Sequence, residues 1–208
     1  RYVADIYLEQ IPYYLSIYPF DNKIYIEIEQ HRSQSHQFKN TFFYAKHIND
    51  SEDIWKALAE NIFTVTGYDR VMVYKLSENG DGQVIAEHVV GGLEPLLGYR
   101  YPEFDIPQQA RQLYTRIFAR VTPDIDAPPI PIWGLEPEKL DLSMTGIRAM
   151  SPIHLQYLRN AQVKASGSFS IIINGKLWGL VACQNRLPKY IDLAQRHLSI
   201  FIVQYTVT

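Results

Sequence analysis

The dipeptide Asn174-Gly175 lies between two runs rich in β-formers, Ala165 to Ile173 and Lys176 to Cys183. Both residues tolerate positive φ, so the pair reads as the tip of a β-hairpin. A second strand-turn-strand pattern runs from Arg70 to Leu76, through Glu78-Asn79-Gly80-Asp81-Gly82, into Gln83 to Val89. Between and around these hairpins the periodicity is helical. Ile54, Leu58, Ile62 and Val65 repeat on one face of a helix predicted over Ser51 to Thr66, with Asp50 as its cap and Gly67 as its stop. A helix opens at Pro107 and runs to about Arg116, helical structure is predicted over 140–162, and residues 191–205 close the chain as an amphipathic helix. Five prolines between Pro123 and Pro137 make 123–138 an extended loop. Hairpins alternating with helices predict an α+β fold, an antiparallel β-sheet flanked by helices.

Upstream, residues 13–29 form short strands around a Pro-Phe-Asp-Asn turn, and Lys23 to Glu29 alternates with period two. Residues 30–40 are a polar linker, so the chain divides into a hairpin arm with linker, 1–40, and a main domain, 41–208. With 208 residues and 47% apolar content, the chain supports one ordinary core and part of a second domain. Its formal charge of −2 and lack of a basic run argue against a nucleic-acid or anionic-membrane surface, and its apolar runs are too short for a membrane span. Cys183, the single cysteine, makes neither an internal disulfide nor a metal cluster, which suits a cytoplasmic protein. Because the chain begins at Arg1, it reads as a fragment of something longer. Fifteen tyrosines suit a pocket for a flat conjugated ligand and equally a dense core.

Residues 151–163 sharpen that choice. Ser151 is placed to cap a helix and Pro152 suits its first position, after which His154, Tyr157, Leu158 and Ala161 share one stripe. Titratable and apolar groups mixed on one face describe a pocket wall; taken alone, the segment also fits a satisfied core pair.

The same segment resembles the chromophore-binding helix of phytochrome GAF domains, and three further motifs follow the family's order. Asp105-Ile106-Pro107 is similar to its Asp-Ile-Pro motif. Tyr68-Asp69-Arg70-Val71-Met72-Val73-Tyr74 resembles its first GAF strand, and Leu177-Trp178-Gly179-Leu180-Val181-Ala182-Cys183 its penultimate one. The likeness covers roughly 45–208. It implies a red/far-red light-sensing domain that binds a linear tetrapyrrole (bilin), with biliverdin the first expectation and phycocyanobilin the alternative, and no metal.

Such a ligand has a flat apolar body, pyrrole N–H donors and two propionates. By resemblance, Arg120 and Arg148 pair with the propionates, helped by Tyr114, Ser151, Ser166 and Ser168; a planar guanidinium suits a carboxylate. Asp105 is implied beside the pyrrole nitrogens, with Ile106 and Pro107 completing its motif, and His154 over the ring system. Met72, Tyr74, Tyr101 and Tyr157 are implied around the terminal pyrrole. Two positions depart from the family pattern. Ile153 stands where an attachment cysteine is commonest, and Gln184 stands where most members carry a histidine. Cys183 is a poor substitute for the missing thiol, since on a strand its side chain points opposite to that of Gln184, and if one faces the ligand the other does not.

Residues 1–40 resemble the tail of a PAS domain, with Gln30 where that family usually has proline. The resemblance further implies a homodimer and a downstream signalling domain; any histidine kinase output would lie outside this chain. Two rivals stand beside this reading. A pigment-free GAF domain serving dimerisation or a small ligand is favoured by Ile153 and Gln184. A hydrolase would use Asp105, His154 and a serine, but no Gly-x-Ser-x-Gly elbow accompanies them.

Overall fold

The computed structural model describes residues 1–31, 41–103, 106, 108–146 and 148–208. Two antiparallel sheets carry the architecture. The first orders β1 (Tyr2–Leu8), β2 (Ile11–Phe20) and β3 (Lys23–Gln30) in sequence. The turn between β2 and β3 is Asp21-Asn22, with φ of 50° and 54°, and Pro19 and Phe20 belong to the strand. Strand β1 was not expected. Its turn, Glu9-Gln10, takes positive φ at both residues without a glycine or asparagine to announce it.

Helices α1 (Thr41–Asn49) and α2 (Ile54–Thr66) follow. The expected start at Ser51 with an Asp50 cap is corrected: the Asp50 amide closes the last turn of α1 on the Lys46 carbonyl, and the Asp53 carboxylate caps α2 by accepting from the Trp55 and Lys56 amides. Gly67 ends α2 as expected, with φ of 62° and its amide donating to the Phe63 carbonyl.

The second sheet has six strands in the order β6-β5-β4-β9-β8-β7. They are β4 (Arg70–Leu76), β5 (Gly82–Val89), β6 (Arg100–Tyr101), β7 (Ala119–Thr122), β8 (Ala165–Ile173) and β9 (Lys176–Asn185). Both expected hairpins are present; Asn174 and Gly175 form the two-residue tip of the β8-β9 hairpin, at φ of 51° and 73°. Helix α3 (Gln108–Tyr114) precedes β7, α4 (Pro152–Asn160) precedes β8, and α5 (Leu193–Thr206) closes the chain. Among the described residues of the expected 140–162 helical region, only Pro152–Asn160 is α-helical; at the region's start Asp141 turns the chain by accepting from the Ser143 amide at 2.7 Å.

One face of this sheet is covered by α1, α2 and α5. Val71 and Val73 of β4, Val181 and Cys183 of β9 and Phe169 of β8 meet Leu58 and Ile62 of α2 and Ile202 of α5 in the main core. Tyr68 lies here too, fully buried, and its hydroxyl is the one buried side-chain polar atom among the described residues without a hydrogen-bond partner. An unmade hydrogen bond of that kind costs about 1–3 kcal/mol. Tyr68→Phe is therefore expected to keep the fold and raise the melting temperature by a few degrees; a clear fall in a thermal melt would show that the hydroxyl is satisfied in solution.

A buried ion pair joins the first sheet to α5. The Arg196 guanidinium donates to the Glu29 carboxylate at 2.5 Å, both side chains being under a tenth exposed, and the Tyr190 hydroxyl donates to the second Glu29 oxygen at 3.0 Å.

Candidate functional site

Antiparallel partners point to the same face of a sheet, so register decides which residues can share a site. Met72 pairs with Ala182 and Tyr74 with Leu180; Gln184 and Ala182 pair in turn with Ser166 and Ser168, and Ser168 with Arg120. This row faces away from the helix-covered core. A bulge between Val73 and Tyr74 matches Tyr74 with Val84 of β5 and carries the same face to the edge of the sheet.

Over this face lies a cleft in two lobes. The narrow lobe, about 120 Å³, is bounded by Met72, Tyr74, Tyr101, Ser166, Ser168 and Gln184. The wide lobe, about 540 Å³, opens between α3 and α4 and is bounded by Arg148, Ser151 and Ile153 among others. Ile106, Tyr114, Arg120, His154 and Tyr157 border both lobes. The wide lobe alone falls in the range of small-molecule sites.

Every described residue that the resemblance assigns to the ligand thus borders one cleft, whereas Ala161, expected on the same stripe as His154, is exposed and borders neither lobe. Asp105 and Pro107 lie outside the described residues. Ser151 occupies the cap position of α4 without the expected side-chain capping bond and borders the wide lobe instead. Ile153 is 84% exposed at its rim. Cys183 is fully buried in the main core, where desolvation pushes its thiol well above the ordinary thiol range.

Local contacts hold the walls. The Tyr114 hydroxyl accepts from Ser168 at 3.2 Å, and the Tyr114 carbonyl accepts from Ser170 at 2.7 Å, so α3 is fastened to β8. His154 and Tyr157, one turn apart on α4, stack with ring centroids 5.7 Å apart. Tyr74 and Tyr101 meet at 5.9 Å in a tilted arrangement. At the end of the narrow lobe, the buried pair Arg70–Glu87 at 2.6 Å ties down the loop after β5: Glu87 accepts from the Leu96 and Leu97 amides, and Arg70 donates to the Glu94 carbonyl.

Gly82 is required by Tyr74. A Cβ there would sit 1.9 Å from the end of the Tyr74 ring. Gly82→Ala is expected to expel the ring and cost about 1–3 kcal/mol, with much of the loss recovered in a Tyr74→Leu background. Equal destabilisation in both backgrounds, read from thermal melts, would reject the steric account.

Electrostatically the cleft is a cationic hollow. Arg120 donates to the carbonyl of Ala149 at 3.0 Å, and Arg148 to those of Ser143 and Thr145 at 3.1 and 3.0 Å. Among the described residues neither takes part in a salt bridge. Burial lowers the pKa of both guanidiniums, and the charge on Arg120 lowers that of Arg148 further. Two neighbouring desolvated cations facing a cavity make a seat for carboxylates.

The sequence reading missed part of the apolar lining. Leu180 and Ala182 were legible as alternate strand residues on the side of Gln184, and Ala110 and Leu113 as one helical stripe of α3, with Ile117 just past its end. Met150 and Ala149 had no such signal, because they sit on irregular chain.

The GAF domain family matches residues 50–204. Among named proteins, the chain is 44% identical over 158 residues to cyanobacterial phytochrome B of Nostoc sp., covering 74% of this chain and 21% of the relative. It is 42% identical over 152 residues to a bacteriophytochrome of Pseudomonas aeruginosa, covering 71% and 21%. The chain therefore spans about a fifth of the length of the curated relatives it matches. Among solved structures, the chromophore-binding domain of an unusual bacteriophytochrome from R. palustris superposes with a TM-score of 0.88 at 29% identity, over 94% of this chain and 68% of that one. The chromophore-binding domain of Stigmatella aurantiaca phytochrome P1 superposes at 0.86 with 30% identity, over 97% and 71%. The chain belongs to the GAF domain family and, within it, to the chromophore-binding domains of phytochromes.

Proposed function

We propose that this chain is a light-sensing photoreceptor domain of the red/far-red type that holds a linear tetrapyrrole, biliverdin first, in the two-lobed cleft. The observation that carries this reading is the pair Arg120 and Arg148, which border one cavity, spend donors on backbone carbonyls and have no acid partner among the described residues. A ligand with two carboxylates meets that arrangement, and Tyr114 and Ser166 offer hydroxyl protons for the remaining lone pairs, Ser168 donating its own to Tyr114. The apolar faces of Met72, Tyr74 and Leu180, with His154 and Tyr157 opposite, suit a flat conjugated body. When bound, the pigment supplies light absorption and double-bond isomerisation. The protein's part is to seat the carboxylates, to exclude water from the narrow lobe and to offer a hydrogen-bond partner there.

That partner is Gln184, whose amide donates but does not titrate. Photoconversion is expected to persist with a weakened or shifted photoproduct band, and Gln184→His to strengthen it. Identical dark and illuminated spectra for parent and variant would remove this role.

Mixing the purified chain with biliverdin and recording a red or far-red band tests the function directly. A pigment-free GAF module gives no band. With Ile153 at the rim and Cys183 in the core, a thioether is not expected from this chain's own residues; acid denaturation followed by zinc staining of a gel checks for any covalent bond. The same reading makes residues 1–40 the end of a PAS domain, the assembly a homodimer in the cytoplasm and the output a domain beyond this chain, which itself catalyses no reaction. No described helix is long and apolar enough to cross a membrane.

A further inference from the structure

We propose that Tyr25, on the first sheet and outside the cleft, is a positioning residue for Arg148 and thereby for recognition of the ligand's carboxylates. The inference rests on the reading of Arg148 as a carboxylate partner. None of the described residues bordering either lobe comes from residues 1–31. Yet the hairpin of β2 and β3 grips the turn that holds Arg148. Tyr25 is buried, and its hydroxyl donates to the Asp141 carbonyl at 2.7 Å. Tyr18, stacked on Tyr25 with centroids 5.4 Å apart, approaches the Met144 carbonyl at 3.4 Å but lies closer to Glu27, at 2.9 Å, so Tyr25 supplies the stronger link.

The turn is closed from within. Asp141 accepts from the Ser143 amide at 2.7 Å, and the Thr145 amide and hydroxyl both donate to the Leu142 carbonyl, at 3.0 and 2.8 Å. Its outward carbonyls, those of Ser143 and Thr145, receive one nitrogen of Arg148. An arginine side chain is long and rich in rotamers, so its value for a bidentate partner depends on being held before the ligand arrives. Here the holding group is a turn, and one phenol hydroxyl fixes that turn to a sheet.

The test uses the full chain with biliverdin and with its dimethyl ester, which keeps the ring system but has no carboxylates. The parent is expected to bind the diacid more tightly than the diester. Tyr25→Phe preserves the ring stack and removes one hydroxyl; it is expected to weaken diacid binding by roughly five- to tenfold and leave diester binding unchanged. In an Arg148→Gln background the same substitution is expected to have no further effect. Equal weakening of both ligands, an undiminished preference for the diacid, or a full effect without Arg148 would each overturn the proposal while leaving the function standing. A parent that fails to prefer the diacid overturns the carboxylate reading and this proposal together. Should Tyr25→Phe fail to melt as a folded protein, Asp141→Ala opens the same turn from within and is judged by the same diacid-to-diester ratio.

Discussion

The double variant Arg120→Gln/Arg148→Gln is expected to bind biliverdin roughly 10²- to 10⁴-fold more weakly than the parent, since each charge-assisted hydrogen bond lost contributes about 1.5–3 kcal/mol. Its melting temperature is expected to hold or rise. Both guanidiniums are charged at a desolvation cost and repel one another, and relief from both offsets the hydrogen bonds to the Ala149, Ser143 and Thr145 carbonyls that shorter neutral amides give up. The combination separates a site from a structural element: an ion pair that supports the fold would lower stability when broken, whereas a ligand seat lowers affinity alone. Titration by absorbance with a parallel thermal melt reads both quantities. Affinity within threefold of the parent would remove the arginines from the site, and a large fall in stability would make them structural.

The second large effect concerns the joint between the two sheets. Arg196→Met leaves the Glu29 carboxylate buried with Tyr190 as its remaining side-chain donor among the described residues, and removing one partner of such a pair costs about 3–5 kcal/mol. In a chain of this length that corresponds to a fall on the order of 10 °C in melting temperature. Glu29→Met in addition is expected to restore most of the loss, because no unpaired charge then remains in the interior. A double variant as unstable as the single one would show that packing around the two side chains, and not their charges, holds the joint.

The strands of the main sheet were legible because their signals are local. Arg70–Leu76 and Ala165–Ile173 agree with the expected bounds, each followed by a turn of glycine and asparagine whose backbone freedom marks the reversal. Strand β1 and helix α1 were not. The first is announced by a Glu9-Gln10 turn that the sheet imposes on unsuited residues, and the second has a weak apolar stripe, with Phe42 and Phe43 largely exposed. The error over Asp50 has a similar root: two aspartates three residues apart are equal candidates as caps until α1 consumes one amide.

Within the site, residue types were readable from motifs and their convergence was not. Period-two alternation could say that Met72 and Tyr74 share a face, as do Gln184 and Ala182. Strand pairing over more than a hundred residues of separation decided that these faces form one floor, with Arg120 beside them. Strand polarity, turn chemistry and the supply of two arginines, a histidine and a wall of tyrosines follow from the sequence, because each depends on neighbours along the chain. That the two arginines border one cavity with no salt bridge to a described residue, that Cys183 is turned into the core, and that a tyrosine from the first sheet braces Arg148 were decided only by tertiary structure. Burial, register and unneutralised charge are properties of packed surfaces, and they come into being when distant segments exclude water together.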